Sequence, residues 1–270
     1  MSGLIALGTT PDPHRFTLAV TPPVCVGHRD HQFLFGGAGM GAAIAAVEAA
    51  TGRPTVWATA QYLSFARPPA TLDLDVVVPV SGRHSSQARV TGHVGDTEIL
   101  TVNAALGSRP DATAMQWSAI PNVPPPDDCP AIVNDWPRHP DDINAAFEQR
   151  SARGRFGAAR SMGGASPDGV STMWVRPVAG VVDRVTLALM ADFLPSGIGH
   201  AFGEGVGGNS LDNTIRFLGI VPTEWVLCDT VIEGTANGFV HGRMRLFAQG
   251  GALLATASQS MIVRRFAPPA

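Results

Sequence analysis

Three residues in the second half of this 270-residue chain have side chains suited to handling water: Asp192, Ser210 and Gln259. Asp192 closes an apolar run, Val181–Phe193. In a helix, Val185, Ala188 and Leu189 share its stripe, and that stripe should face a core. Pro195 and Gly197 follow, so Asp192 falls in the last turn and meets the negative end of the helix dipole. Burial also penalises its charge. Both effects raise a carboxyl pKa and favour general-base chemistry near neutral pH. The plainer alternative is an Asp at a helix edge, solvated or bonding a loop amide.

Gln259 lies on a strand face that reads Leu253, Ala255, Ala257, Gln259, Met261, Val263, by the two-residue period of a strand. One amide among five apolar side chains must find partners or cost ~1–3 kcal/mol. A water shared with Asp192 and Ser210 would be one partner set, and backbone at a sheet end another. Ser210 opens a strand-like segment, where Ser is also ordinary structure. Gly208-Asn209-Ser210-Leu211-Asp212 is not a Gly-x-Ser-x-Gly elbow, so Ser210 does not read as a covalent nucleophile. Regular alternation puts Ser210 and Asp212 on one face of that segment; only a bulge would re-aim Ser210.

Gly36-Gly37 opens a second candidate feature, the run AGMGAAIAAVEAATG. A helix N-terminus offers free N–H groups and a partial positive charge of ~0.5 e, suited to a carbonyl oxygen or a phosphate. Small residues there also simply allow close packing. Gly37, Gly39 and Gly41 do not have dinucleotide-binding spacing. His28, Asp30 and His31 form a weak metal-like group, and no metal or cofactor is expected. Cys25, Cys129 and Cys228 are scattered, with no Cys-x-x-Cys pair, and read as reduced thiols.

The elements that must position these residues come in two similar sets. The first is a strand at Arg15–Val20, a helix from Gly36 closed by Gly52 and Pro54, and strands at Thr55–Phe65, Thr71–Val80, Arg83–Val94 and Glu98–Leu106. Residues 110–143 are Pro-rich and read as a surface linker. The second set is strands at Ala146–Arg153 and Ser171–Arg176, the helix Val181–Phe193 with a Gly-rich loop after it, and strands at Asn209–Phe217, Trp225–Gly234, Phe239–Ala248 and Ala252–Arg264. Short hairpin breaks imply antiparallel neighbours. The expected architecture is α+β with two tandem repeats, residues 1–109 and 144–270, each a central helix wrapped by a long antiparallel sheet.

Composition narrows the partners. Hydrophobic residues make up 45% and the net charge is −3, enough for a sizeable core and without the basic excess that nucleic acid or anionic membrane would call for. The N-terminus MSGLIALGTTPDPHRF lacks a basic n-region, and no run reaches the roughly 20 continuous apolar residues of a membrane span. A soluble cytoplasmic protein without membrane insertion is the expectation.

The segments FLFGGAGMGAA and FARP in the first half, then ADFLP, NSLDNTIRF and GFVHGRMRLFAQGGALLATASQSMIVR in the second, resemble the type II acyl-CoA thioesterases (the TesB-like family) in order and spacing, over almost the whole chain. The resemblance implies a double hotdog fold, hydrolysis of acyl-CoA to a free acid and CoA, and a homo-oligomer. It assigns Asp192 as the acidic catalytic residue, with Ser210 and Gln259 helping to hold the attacking water. Asn213, Arg216 and Leu218 depart from the family's usual residues, His standing most often at the first. Two competing readings are a non-catalytic acyl-CoA or acyl-carrier binding protein and an enoyl-CoA hydratase. The second is disfavoured because no Asp has His five residues later.

Overall fold

The structure, a computed structural model, describes residues 3–109, 112–134, 136–160, 162–203 and 205–265. The first half comprises β1 (Arg15–Val20), α1 (Gly36–Thr51), β2 (Thr55–Tyr62), β3 (Ala70–Ser81), β4 (Ser85–Val94) and β5 (Thr97–Gly107). The second comprises β6 (Phe147–Arg153), β7 (Val170–Pro177), α2 (Arg184–Ala191), α3 (Gly197–Phe202), β8 (Val206–Ser210), β9 (Asp212–Phe217), β10 (Val226–Ala236), β11 (Phe239–Ala248) and β12 (Leu253–Arg265). One antiparallel sheet runs through both halves in the order β1-β3-β4-β5-β2-β9-β12-β11-β10-β7-β6, with Gly8–Thr9 on the β1 edge and β8 also paired to β12. Read outward from the centre, each half repeats the same plan: the strand after the helix, then the last, middle and first strands of its meander. The halves meet where β2 pairs with β9, Ala60 opposite Asn213. This is the double hotdog architecture.

α1 and α2 pack side by side on the inner face of this sheet. α1 is buried almost all round, because α2 lies on one side and strands on the other. Its small residues make that possible. A Cβ at Gly39 would come within 2.6 Å of Leu100 Cδ2. Gly52 ends the helix in the left-handed region at φ 66°, its N–H bonding Glu48 O, a conformation that glycine adopts without strain.

α2 starts later than the apolar pattern suggests. Asp183 accepts from the Thr186 N–H at 2.9 Å and caps the helix, so Val181 and Val182 stay outside it. The Gly-rich loop expected after residue 193 is corrected to a 3-10 turn at Leu194–Ser196 and the helix α3. Gly197 and Gly199 serve close packing there: an added Cβ would lie 2.9 Å from Ser171 Oγ and 3.0 Å from Arg160 Cδ respectively. The apolar stretch Arg184–Phe202 is 72% buried in the protein interior.

The Pro-rich segment does more than connect. Pro110, Asp111 and Asp135 within it lie outside the described residues, but residues 116–129 form a strap over the outer face of the second half, and Pro137 and Arg138 pair with the first half at Arg29 and His28. Ile120, Val123 and Cys129 cover Trp174, Trp225, Leu227, Phe247 and Leu253. The Trp174 indole N–H donates to Pro124 O at 2.9 Å, and the Gln116 side-chain oxygen accepts from Leu253 N at 2.6 Å. Strands buried on both faces need such a cover.

Candidate active site

Asp192, Ser210 and Gln259 are brought together from three elements. Asp192 is the C-cap of α2, Ser210 ends β8, and Gln259 lies mid-strand on β12. The Gln259 amide donates to Asp192 Oδ1 at 2.6 Å. The Ser210 hydroxyl lies 3.4 Å from Asp192 Oδ1 and 3.3 Å from Gln259 Oε1. It has one proton for these two long contacts and lone pairs to spare. Asp192 is 6% exposed and Gln259 3%, so water that reaches them is held in a nearly dry site.

A β-bulge aims Ser210 inward. Thr214 faces Ser258, whereas Ser210 faces Met261. Four steps along one strand thus match three along β12, and the extra residue falls at Leu211–Asp212. The Leu211 N–H and the Asp212 carboxylate both engage Ser260, through its O and its N–H respectively. With regular alternation Ser210 and Asn213 would lie on opposite faces; across the bulge both turn toward Asp192.

Gly36 and Gly37 lie against the same carboxylate, but their amides have different fates. The Gly37 N–H donates to Asp192 Oδ2 at 2.6 Å, so it positions the carboxylate instead of facing a substrate. The N–H groups of Ala38 and Gly39 go to Phe35 O. Gly36, at the first helical position, has no intrahelical acceptor for its own N–H, and Phe35 supplies no side-chain cap.

Burial pushes the Asp192 carboxyl up to about 6, against the opposing pull of Gln259, the Gly37 amide, Ser210 and Asn213. Desolvation wins because the site is enclosed and no cation among the described residues balances the charge.

Two further side chains border the site. Tyr62 comes from β2, in the other half of the chain, and its hydroxyl is buried. Asn213 on β9 is fully buried. The sequence marks Asn213 only as a departure from a pattern, and Tyr62 is the chain's single tyrosine, with nothing local to link it to Asp192. The other two departures lie away from the site: Arg216 and Leu218 are exposed. In the first half, the inner faces of β2 and β5 carry Ala58, Ala60, Val102 and Ala104, all buried. The one carboxylate of α1, Glu48, caps the Thr55 N–H. Among the described residues the first repeat therefore holds no second copy of the constellation. Nor do three potential metal-ligating side chains gather anywhere among them. His28 instead pairs with Asp30, Nδ1 to Oδ2 at 3.5 Å.

A sequence model of the acyl-CoA thioesterase C-terminal domain matches residues 126–263. A solved structure from Novosphingobium aromaticivorans DSM 12444, classed as a thioesterase, is 36% identical, with 95% of this chain and 98% of that chain covered and a TM-score of 0.86. A hot dog fold protein of unknown function from Alicyclobacillus acidocaldarius is 20% identical, covering 98% and 97%, with a TM-score of 0.83. The acyl-CoA thioesterase II TesB2 of Mycobacterium marinum is 18% identical, covering 97% of both chains, with a TM-score of 0.73. The last two support the fold. No curated protein sequence matches the chain.

Proposed function

Because the chain belongs to the acyl-CoA thioesterase family and is thereby a thioester hydrolase, we propose that Asp192 is its general base, acting on a water held by Ser210 and Gln259. The water oxygen bonds to the thioester carbonyl carbon while Asp192 takes the water proton. The carbonyl π pair moves onto oxygen. On collapse that pair re-forms the C=O bond, the C–S bond breaks, and the Asp192 proton neutralises the departing CoA sulfur. General-base assistance of this kind is worth roughly 10²–10⁴-fold. The observation that carries the reading is a buried carboxylate with its pKa raised to about 6 and an amide on Oδ1 whose own oxygen, Gln259 Oε1, is met among the described residues only by the long Ser210 contact. Water can donate one proton to Asp192 and the other to Gln259 Oε1, which fixes its lone pair toward a carbonyl carbon. The proposal includes a homo-oligomer in the cytoplasm, which sedimentation and fractionation can check.

The test is CoA release from short to long acyl-CoAs, by wild type and Gln259→Ala. Wild type is expected to release CoA and the variant to lose roughly 10- to 1,000-fold in kcat. The variant's acid limb should also lie above the wild-type one, because Gln259 is the strongest of the groups that hold the Asp192 pKa down. An unchanged rate and limb would remove Gln259 from the mechanism, and absence of release from every acyl-CoA would remove the substrate class.

Such assays read free thiol, so the protein's own thiols matter. Cys25, Cys129 and Cys228 are buried and unpaired by disulfides. Burial pushes the Cys25 thiol up to about 12 and raises Cys129 and Cys228 as well. Thiolate is the reactive form. Native protein is expected to give no fast reaction with an aromatic disulfide reagent, and the unfolded chain three equivalents, one for each cysteine in the sequence. A rapid native equivalent would contradict the burial.

A further inference from the structure

We infer that Tyr62 and Asn213, beside the N–H of Gly36, form the pocket that receives the thioester carbonyl oxygen. The inference rests on the hydrolase reading above and adds residues to it.

The polar groups around Asp192 divide into two sides. Ser210 and Gln259 approach Oδ1, while Gly36 and Gly37 lie against Oδ2. The carbonyl oxygen gathers charge as water attacks and needs donors of its own. Two of the nearest candidates are spoken for: the Gly37 N–H and the Gln259 amide both donate to Asp192. Tyr62 and Asn213 are not. Tyr62 Oη, Asn213 Nδ2 and Asn213 Oδ1 are buried and, among the described residues, make no hydrogen bond of normal length and angle. Buried polar groups in native proteins are almost always paired, and an orphaned set beside a reactive carboxylate points to a ligand that completes it.

Their placement converges on the start of α1. A Cβ built on Gly36 would meet Asp192 Oδ2 at 2.8 Å, Tyr62 Cζ at 2.8 Å and Tyr62 Oη at 3.1 Å. The phenol hydroxyl, the carboxylate and the helix N-terminus thus crowd one point so closely that only glycine fits there, which brings the Gly36 N–H and the Tyr62 hydroxyl close together beside Asp192. Asn213 faces Ala60, two residues before Tyr62, across the β2–β9 seam, and its amide lies near enough to Asp192 and Tyr62 to favour the charged form of each, short of full hydrogen-bond geometry. Burial and the neighbouring Asp192 hold the Tyr62 hydroxyl protonated, well above the usual phenol range, so it remains a donor wherever Asp192 is a base. As water adds to the carbonyl carbon, the π pair moves onto the oxygen and these donors stabilise it. On collapse the pair returns and the C–S bond breaks, with no proton lost by Tyr62.

The test uses Tyr62→Phe and Asn213→Leu in the full-length protein. In each, kcat is expected to fall roughly 10²–10³-fold, the cost of one lost oxyanion donor, with KM changed only a few-fold. Tyr62→Phe should leave the acid limb in place and should be no less stable to urea, since it removes an unpaired hydroxyl. A second arm measures the infrared stretch of a ¹³C-labelled thioester carbonyl bound to Asp192→Asn, which keeps the substrate intact. Adding Tyr62→Phe should move that band to higher frequency. Wild-type kcat in both variants, or an unmoved band, overturns the assignment. If wild type releases no CoA at all, the hydrolase reading fails, and the band alone decides whether these donors touch a carbonyl.

Discussion

Asp192→Asn is expected to lose roughly 10²–10⁴-fold in kcat, the contribution of a positioned general base, while becoming more stable than wild type at neutral pH. The first effect follows from the proposed role of Asp192 as the group that takes the water proton. The second follows from the carboxyl's raised pKa. In the unfolded chain it titrates near 3.8; in the fold, near 6. Below 3.8 both states are protonated and the group is neutral to stability. Above 6 both are ionised, and the fold bears the cost of a buried charge, about 3 kcal/mol in order of magnitude. Wild type should therefore lose stability from this group as pH rises from about 4 to about 6, and Asn should not. Asn also fits the hydrogen bonds. Its Oδ1 can accept from the Gly37 N–H, and its Nδ2 can donate to Gln259 Oε1 once that amide rotates by half a turn. Urea unfolding of both proteins at pH 4 and pH 7.5 checks this. A difference between the two that is the same at both pH values would mean that Asp192 is not ionised at a penalty. The wild-type kcat/KM should fall tenfold per pH unit below about 6, on the same titration.

The part of this site that follows a simple period is legible in the sequence. Gln259 stands out because every second residue around it is apolar, and Asp192 because the helical stripe that contains it is apolar. The strand at Trp225–Gly234 is legible as a strand, but not that the Pro-rich segment would cover its outer face. What breaks the period is hidden. The bulge at Leu211–Asp212 depends on how β8 and β9 together pair with β12, and no residue type there demands it. α3 forms through glycines because Ser171 and Arg160 pack where side chains would otherwise project, a tertiary reason that overrides poor helix propensity. Tyr62 is hidden for the most general reason. It reaches Asp192 across the seam between the two halves, and repeats read separately cannot show what one lends to the other.

The same seam makes Gly37→Ala a severe change. In an ordinary helix Gly→Ala adds about 1 kcal/mol of stability through propensity. At Gly37 the new Cβ would lie 2.8 Å from Phe35 Cε1, 2.9 Å from Asp192 Cβ and 3.0 Å from Leu189 Cα. The last two belong to the end of α2, where Leu189 is fully buried and the backbone cannot retreat without moving the core. The helices must part, and the 2.6 Å bond from the Gly37 N–H to Asp192 Oδ2 is lost with them. The expected result is a net destabilisation of about 1–3 kcal/mol from overpacking, and a fall in kcat of roughly tenfold or more through the displaced base. Gly41→Ala is the matched control on the same helix. Its Cβ would meet Val185 Cγ1 at 3.2 Å, a methyl that can turn away, so stability should stay within about 1 kcal/mol of wild type and activity should persist. Thermal unfolding and CoA release of both variants decide the matter. If Gly37→Ala gains stability and keeps wild-type turnover, the close contact between the two helices does not set the position of Asp192. If only Gly37→Ala fails, the first repeat, which holds no constellation of its own, contributes to the reaction by fixing where the second repeat's carboxylate sits.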